Sequence, residues 1–121
     1  MATRSKLLCS GSSAGAAPVT LGIVPANTTW IVKQVSASGP SQAPNTPAWA
    51  GVGHKVSGGP LVFFQSLQLY QQEAGIPFFY TTNGPPIWEV FMPGDSLVVW
   101  DDGTTNLDWT ISGAELSGVA P

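Results

Sequence analysis

Proline and glycine interrupt this chain at short intervals, and the apolar residues between them alternate with polar ones. The 121 residues include 11 prolines and 14 glycines. Near the end of the chain, Leu107, Trp109 and Ile111 fall on one side of an extended backbone, and the polar residues between them fall on the other. This pattern is typical of antiparallel strands with one buried face. We therefore predict an all-β fold, an antiparallel β-sandwich or jelly roll of seven to eight short strands.

The length suits one domain with short extensions, since domains most often have about 100–150 residues. Residues 10–17 are all small, so they have little side chain to pack. We expect residues 1–17 to form a flexible N-terminal arm. Residues 18–116 are then the β-sandwich domain, and residues 117–121 are a C-terminal tail.

The middle of the chain is less regular. Prolines are frequent between residues 40 and 60, and proline cannot donate a hydrogen bond to a strand ladder. A loop is therefore expected over residues 39–47, and a strand near residues 49–56 is expected at a sheet edge. Residues 61–74 fit both a two-residue and a helical spacing of apolar side chains. We favour a strand there, and a helix is the alternative.

Two short sequences predict turns. In PGD at residues 93–95, proline has the backbone angle that the first corner position of a β-turn requires. In DDG at residues 101–103, the residues are those of a hairpin loop, which predicts that the strands on either side pair with each other.

Charged residues are scarce. They make up 9% of the chain, against about 25% in an average soluble domain. The net charge of −3, with only four Lys and Arg residues, argues against nucleic acid as a partner. The apolar runs are much shorter than the roughly 20 residues that cross a bilayer, so no membrane association is expected. Scarce charge instead favours a surface that lies against other proteins, because Lys, Glu and Asp are depleted at interfaces.

The sequence offers little for catalysis. Residues 11–15 match the G-x-S-x-G motif, but a strand pattern follows them where that motif requires a helix. His54 is the only histidine, so a catalytic triad or a histidine-rich metal site would have to be built around it. The four aspartates between residues 95 and 108 could bind calcium, but aspartate is also expected in turns. We predict that the protein is not an enzyme and that it has no cofactor and no metal site.

Candidate interface residues come from two parts of the chain. Trp49 and Trp88 lie next to prolines and turns, so we expect them to be partly exposed, whereas the other three tryptophans lie in strand patterns and are expected in the core. His54 lies in a glycine-rich edge region and is expected at the surface. Arg4 and Lys6 precede the small-residue stretch and could contact a neighbouring subunit. Exposed aromatic rings suit protein partners and also sugar rings, and we favour protein partners.

Three stretches carry a family resemblance: VPANTTWIVK at residues 24–33, MPGDSL at 92–97 and DWTISGAEL at 108–116. They resemble the strand–turn–strand opening, the PGD turn and the closing strand of small β-sandwich proteins of tailed bacteriophages, the minor tail and virion decoration proteins. The resemblance implies a virion structural protein without enzymatic activity or cofactor, made in the host cytoplasm. It would act as an oligomer in the tail or tail tip, against other copies of itself and neighbouring virion proteins.

Two other functions stay open. A capsid decoration protein is the nearest alternative, because residues 39–86 contain more prolines and aromatic residues than the family pattern. A carbohydrate-binding module that attaches to a glycan of the host surface is the alternative from another class.

Overall fold

A computed structural model describes residues 6–15, 17–39, 47–70, 78–81, 89–103 and 106–117 of the chain. These ranges contain nine strands and no helix. The strands are β1 (Lys6–Ser13), β2 (Val19–Ile23), β3 (Thr28–Gly39), β4 (Pro47–Lys55), β5 (Leu61–Tyr70), β6 (Phe78–Thr81), β7 (Glu89–Phe91), β8 (Ser96–Asp101) and β9 (Leu107–Ser117).

The strands form two antiparallel sheets. Sheet I has the order β1-β9-β3-β6, with the short β7 paired to β3 on the same side as β6, and sheet II has the order β2-β8-β4-β5. Without the three-residue β7, the first strand pairs with the last, the second with the next to last, and so on inward. This is the pairing of one long hairpin rolled into two sheets, which is a jelly roll. The predicted all-β sandwich is confirmed, with nine described strands where seven to eight were expected.

The core lies between the two sheets. On β9, Leu107, Trp109 and Ile111 are buried, whereas Asp108 and Thr110 are exposed, so the predicted alternation is confirmed. Sheet II contributes inward-facing aliphatic side chains, which include Val52, Leu97 and Val99. Burial of each such side chain stabilises the fold by roughly 1.5–3 kcal/mol.

Residues 6–13 form an edge strand, where the small residues led us to expect a flexible arm. β1 pairs with β9 along its length, and the Trp109 indole N–H donates a hydrogen bond to Ser13 Oγ at 2.9 Å. A Cβ atom on Gly11 would come within 2.7 Å of the Leu21 side chain. Small residues here thus allow β1 and β2 to approach closely across the sandwich. Residues 1–5 lie outside the described ranges.

The prediction of an edge strand near residues 49–56 is wrong, because β4 lies between β8 and β5. The prolines do not interrupt its ladder, since Pro47 is the first residue of β4 and Pro60 precedes β5. The strand interpretation of residues 61–74 is confirmed as far as Tyr70, and residues 71–74 lie outside the described ranges.

The two turn predictions have different outcomes. Residues 92–95 form a type II turn, in which Asp95 N–H donates to the Met92 carbonyl at 3.0 Å and Gly94 has φ 88°. The hairpin expected at residues 101–103 is wrong, because β8 and β9 belong to different sheets. Gly103, with φ 86°, instead begins a connection from sheet II to sheet I.

Candidate functional site: an aromatic face and a histidine between the sheets

The outer face of sheet II is apolar because of the alternation along β4 and β8. Ala50 and Val52 point into the core, so Trp49, Gly51 and Gly53 lie on the outer face. The same alternation on β8 places Trp100 on the outer face, opposite Gly51 in the register of β4 and β8. The expectation that Trp100 is in the core is therefore wrong.

The glycines of β4 let an aromatic ring lie close to the strand. A Cβ atom on Gly51 or on Gly53 would come within 3.1 Å of Phe63 Cδ1. The Phe63 ring thus lies close to the backbone of β4, and larger residues at the two glycine positions would push the ring away from it. We call this surface the aromatic face; it consists of Trp49, Phe63 and Trp100 with Gly51 and Gly53 beneath them.

An open cavity of about 320 Å³ lies in the aromatic face. Its lining is formed by Pro18, Ala50, Gly51, Phe63, Ser66 and Trp100. Only Ser66 and the indole of Trp100 bring polar side-chain atoms to this lining, so the cavity suits a flat, mainly apolar group.

The two outer faces of the sandwich differ in chemistry. On the aromatic face, Trp49 is 51% exposed and Phe63 is 42% exposed. The outer face of sheet I carries exposed polar residues, which include Ser10, Ser12, Gln34, Asp108 and Thr110. Exposed aromatic rings with little charge around them are typical of an interaction surface, so the aromatic face is the candidate site.

His54 lies between the two sheets and not at the surface where the sequence placed it. Its side chain is 13% exposed, and its ring stacks on Phe91 with a centroid distance of 3.9 Å. Nδ1 lies 2.9 Å from Glu89 Oε2, and Nε2 lies 2.7 Å from Asp95 Oδ2. Since β4 belongs to sheet II and β7 to sheet I, the ring links the two sheets.

Both ring nitrogens of His54 are engaged by carboxylates. Nδ1 contacts Glu89 and Nε2 contacts Asp95, so a carboxylate oxygen occupies the hydrogen-bonding position of each nitrogen.

Asp95 is held in its charged form by several donors. Burial by itself raises the pKa of this carboxyl, but hydrogen bonds from the Ser57 N–H, the His54 ring and the Met92 N–H outweigh burial, so the pKa lies below its usual value. The Ser57 N–H donates to Oδ1 at 3.0 Å, and the Met92 N–H donates to Oδ2 at 2.9 Å. The Asp95 carboxylate thus connects three parts of the structure: the 92–95 turn, the start of the turn after β4, and His54.

The other aspartates have separate local partners. Asp101 Oδ1 accepts from the Gly103 N–H, Asp102 accepts from the Trp49 N–H, and Asp108 accepts from the Ser12 hydroxyl. In the described ranges, no group of three or more His, Cys, Asp or Glu side chains is placed to hold a metal ion. Nor do those ranges contain a helix that is long and apolar enough to span a membrane.

The remaining predicted interface residues are not brought together. Trp49 is exposed on the aromatic face as expected, whereas Lys6 Nζ donates to Glu115 Oε1 at 2.7 Å within the same sheet. Arg4 and Trp88 lie outside the described residues. Sequence reasoning missed Phe63 and Trp100 as members of the surface. The signal for Phe63 was present in β4, where glycines at alternate positions leave space for a ring from β5.

Comparison with protein-family models, with curated proteins and with solved structures gave no match. The resemblance to phage proteins therefore rests on the three sequence stretches alone.

Proposed function

We propose that this protein is a non-enzymatic structural component of a tailed-phage particle, an oligomeric minor tail protein of the tail or tail tip. It assembles by burying the aromatic face against other copies or neighbouring virion proteins. The observation that carries this proposal is the exposure of Trp49 and Phe63, 51% and 42%, on a sheet face where β5 has no charged residue. A surface of this kind gains free energy when it leaves water, at roughly 25 cal/mol per Å².

The fold is compatible with this role, since jelly rolls include viral capsid domains. A fold alone does not determine a function. The proposal therefore depends more on the aromatic face and on the sequence stretches at residues 24–33, 92–97 and 108–116. The engagement of both nitrogens of His54 by carboxylates supports the non-enzymatic part of the proposal.

Self-association and particle incorporation test the proposal. We expect the purified protein to sediment as an oligomer, and Trp49→Ala to shift it toward monomer because an exposed ring of the interface is lost. Val90→Ala is the matched control, since Val90 is 49% exposed but lies on β7 in sheet I. A clean monomer at high concentration that does not enter particles would contradict the proposal. Labelling the protein in intact particles separates a tail position from the alternative of a capsid decoration protein.

A carbohydrate-binding module is the second candidate, and the cavity between Phe63, Ser66 and Trp100 favours it. Aromatic rings provide apolar surfaces for the faces of sugar rings, and the hydroxyl of Ser66 offers a hydrogen bond at the edge. This candidate would be supported over assembly if the purified protein were monomeric and bound a cell-surface glycan, and if Trp49→Ala and Trp100→Ala each abolished that binding.

A further inference from the structure

Trp49 is exposed on a backbone that is held at two points. Its N–H donates a hydrogen bond to Asp102 Oδ2 at 3.0 Å, and its carbonyl accepts one from the Asp102 N–H at 3.0 Å. These bonds fix the backbone at Trp49 to the residue that follows β8. An aromatic side chain on a fixed backbone loses little conformational freedom when it binds, because only its two side-chain torsions remain to be ordered.

The cavity of the aromatic face lies on the same side of sheet II as Trp49. Gly51 belongs to its lining and is two positions after Trp49 on β4, and residues two apart on a strand share a side of the sheet. Its volume of about 320 Å³ is at the small end of the range for ligand sites, which is about 300–1,000 Å³. The cavity therefore suits a single ring system.

The chemistry of the lining matches an indole. The rings of Phe63 and Trp100 provide apolar contact for the faces of a flat group, and the Ser66 hydroxyl can accept a hydrogen bond from one N–H. An indole has two flat faces and a single N–H. A sugar ring has several hydroxyl groups, and most of them would lose water here without gaining a partner. The cavity therefore fits an indole more closely than it fits a sugar ring.

We propose that two copies of this chain pack through their aromatic faces, with Trp49 of each copy in the cavity of the other. A two-fold axis that lies in the interface, midway between Trp49 and the cavity, exchanges these two positions whatever the distance between them. Each copy then provides and receives the same contact. This inference deepens the proposed function and rests on the self-association that it includes.

The occupant follows from the presence of both halves of the contact on one face. The chain carries an exposed indole on a fixed backbone and, beside it, a cavity that fits an indole. A partner of different sequence would need only one of these two features. A surface that contains both is complementary to itself, which is the requirement for a two-fold interface between identical chains.

The size of the face is sufficient for a dimer. The four strands of sheet II have five to ten residues each. At ordinary strand spacing their outer face has a flat area of about 500 Å². Two such faces bury about 1,000 Å² in total, which is near the lower limit of specific interfaces. An interface of this size depends on a few strong contacts, and tryptophan is among the residue types that most often provide them.

Two complementary variants test the reciprocal contact. Trp49→Ala removes the ring and leaves the cavity, whereas Ser66→Trp fills the cavity and leaves the ring, since Ser66 is an exposed residue of the lining. Each variant alone should dimerise at least about tenfold more weakly than the wild type in sedimentation equilibrium. An equal mixture should associate more tightly than either variant alone, because the intact ring of one fits the intact cavity of the other. Ser10→Trp, at an exposed serine on β1 in sheet I, is the control for an added tryptophan and should dimerise like the wild type.

Fluorine NMR provides a second measurement that keeps every side chain of the contact. In protein labelled with fluorotryptophan each indole gives its own signal, and the signals of Trp49 and Trp100 are assigned from Trp49→Phe and Trp100→Phe. Both signals should shift as the protein concentration rises, because the ring and the cavity lining meet in the dimer. The signals of Trp30 and Trp109, which are buried between the sheets, should not move.

The outcomes separate this inference from the proposed function. If the wild type associates but Ser66→Trp associates equally well, or if the mixture is no tighter than the two variants, reciprocal docking is overturned and the proposed assembly stands. A wild type that is monomeric but enters particles also overturns reciprocal docking, because a neighbouring virion protein then covers the face. If the wild type is monomeric and absent from particles, both are overturned.

Discussion

At the scale of single residues, His54 connects parts of the chain that are distant in sequence. Its partners Glu89 and Asp95 are 35 and 41 residues away, and its ring lies on Phe91. A buried polar group that loses its hydrogen-bond partner costs free energy. The cluster therefore stabilises the contact between the two sheets only while His54 and both carboxylates are present.

We predict that His54→Ala destabilises the protein by about 2–4 kcal/mol, because it removes a buried ring and takes a donor from Asp95. Urea unfolding measures the change. Lys55→Ala, at the adjacent exposed position, is the control and should lie within about 0.5 kcal/mol of the wild type. An equally small effect of His54→Ala would show that the sheets do not depend on this link.

The lowered pKa of Asp95 predicts acid sensitivity. Because the pKa is lower in the folded than in the unfolded chain, the unfolded chain takes up the proton first as the pH falls. The stabilisation is complete above the ordinary aspartate pKa and is lost as the pH falls through the lower folded value. Unfolding free energies between pH 6 and pH 2 should therefore fall less steeply for Asp95→Asn than for the wild type. Parallel curves for the two proteins would contradict this prediction.

Cys9 offers a probe of β1. Burial raises the pKa of its thiol to about 11, well above the ordinary value of a cysteine. Since only the thiolate reacts, native protein should react with iodoacetamide at pH 8 about a hundredfold more slowly than protein unfolded in urea. Comparable rates in the two states would mean that β1 is not packed in solution.

At the scale of elements, the pairing of β3 with β9 depends on one glycine. A Cβ atom on Gly113 would overlap the carbonyl oxygen of Ile31, beside the register shift between Val32 and Gln34. We predict that Gly113→Ala costs about 3 kcal/mol or more, because the backbone of β3 must move. Thermal unfolding checks this, with Ser112→Ala as the neighbouring control. Nearly equal melting temperatures of Gly113→Ala and wild type would contradict it.

The sequence predicted elements whose signals are local. The alternation around Trp109 identifies β9, and Pro93 and Gly94 identify the turn before β8 because their backbone preferences act within that turn. The pattern could not show that β8 and β9 belong to different sheets, since a loop with Gly103 suits several connections. It also could not place His54, whose burial depends on groups that only the pairing of distant strands brings near.

At the scale of the whole molecule, the first described strand pairs with the last one. Contacts between distant parts of a chain must form before such a fold is stable, so folding is expected to be slow, in the range of milliseconds to seconds.

β1 contributes to the core, so a chain that begins at residue 14 should lose cooperative unfolding. Near-ultraviolet circular dichroism detects this, because Trp109 loses its partner Ser13. A sharp thermal transition of the shortened chain would instead support the flexible arm that the sequence predicted.

The two outer faces of the sandwich therefore differ in how they interact with water: the outer face of sheet I is hydrated, whereas the aromatic face of sheet II is poorly hydrated. Association through the aromatic face would leave the polar outer face of sheet I in contact with water. Few charges take part, so screening by salt should change the strength of this association very little. Temperature should matter more, because apolar association weakens on cooling.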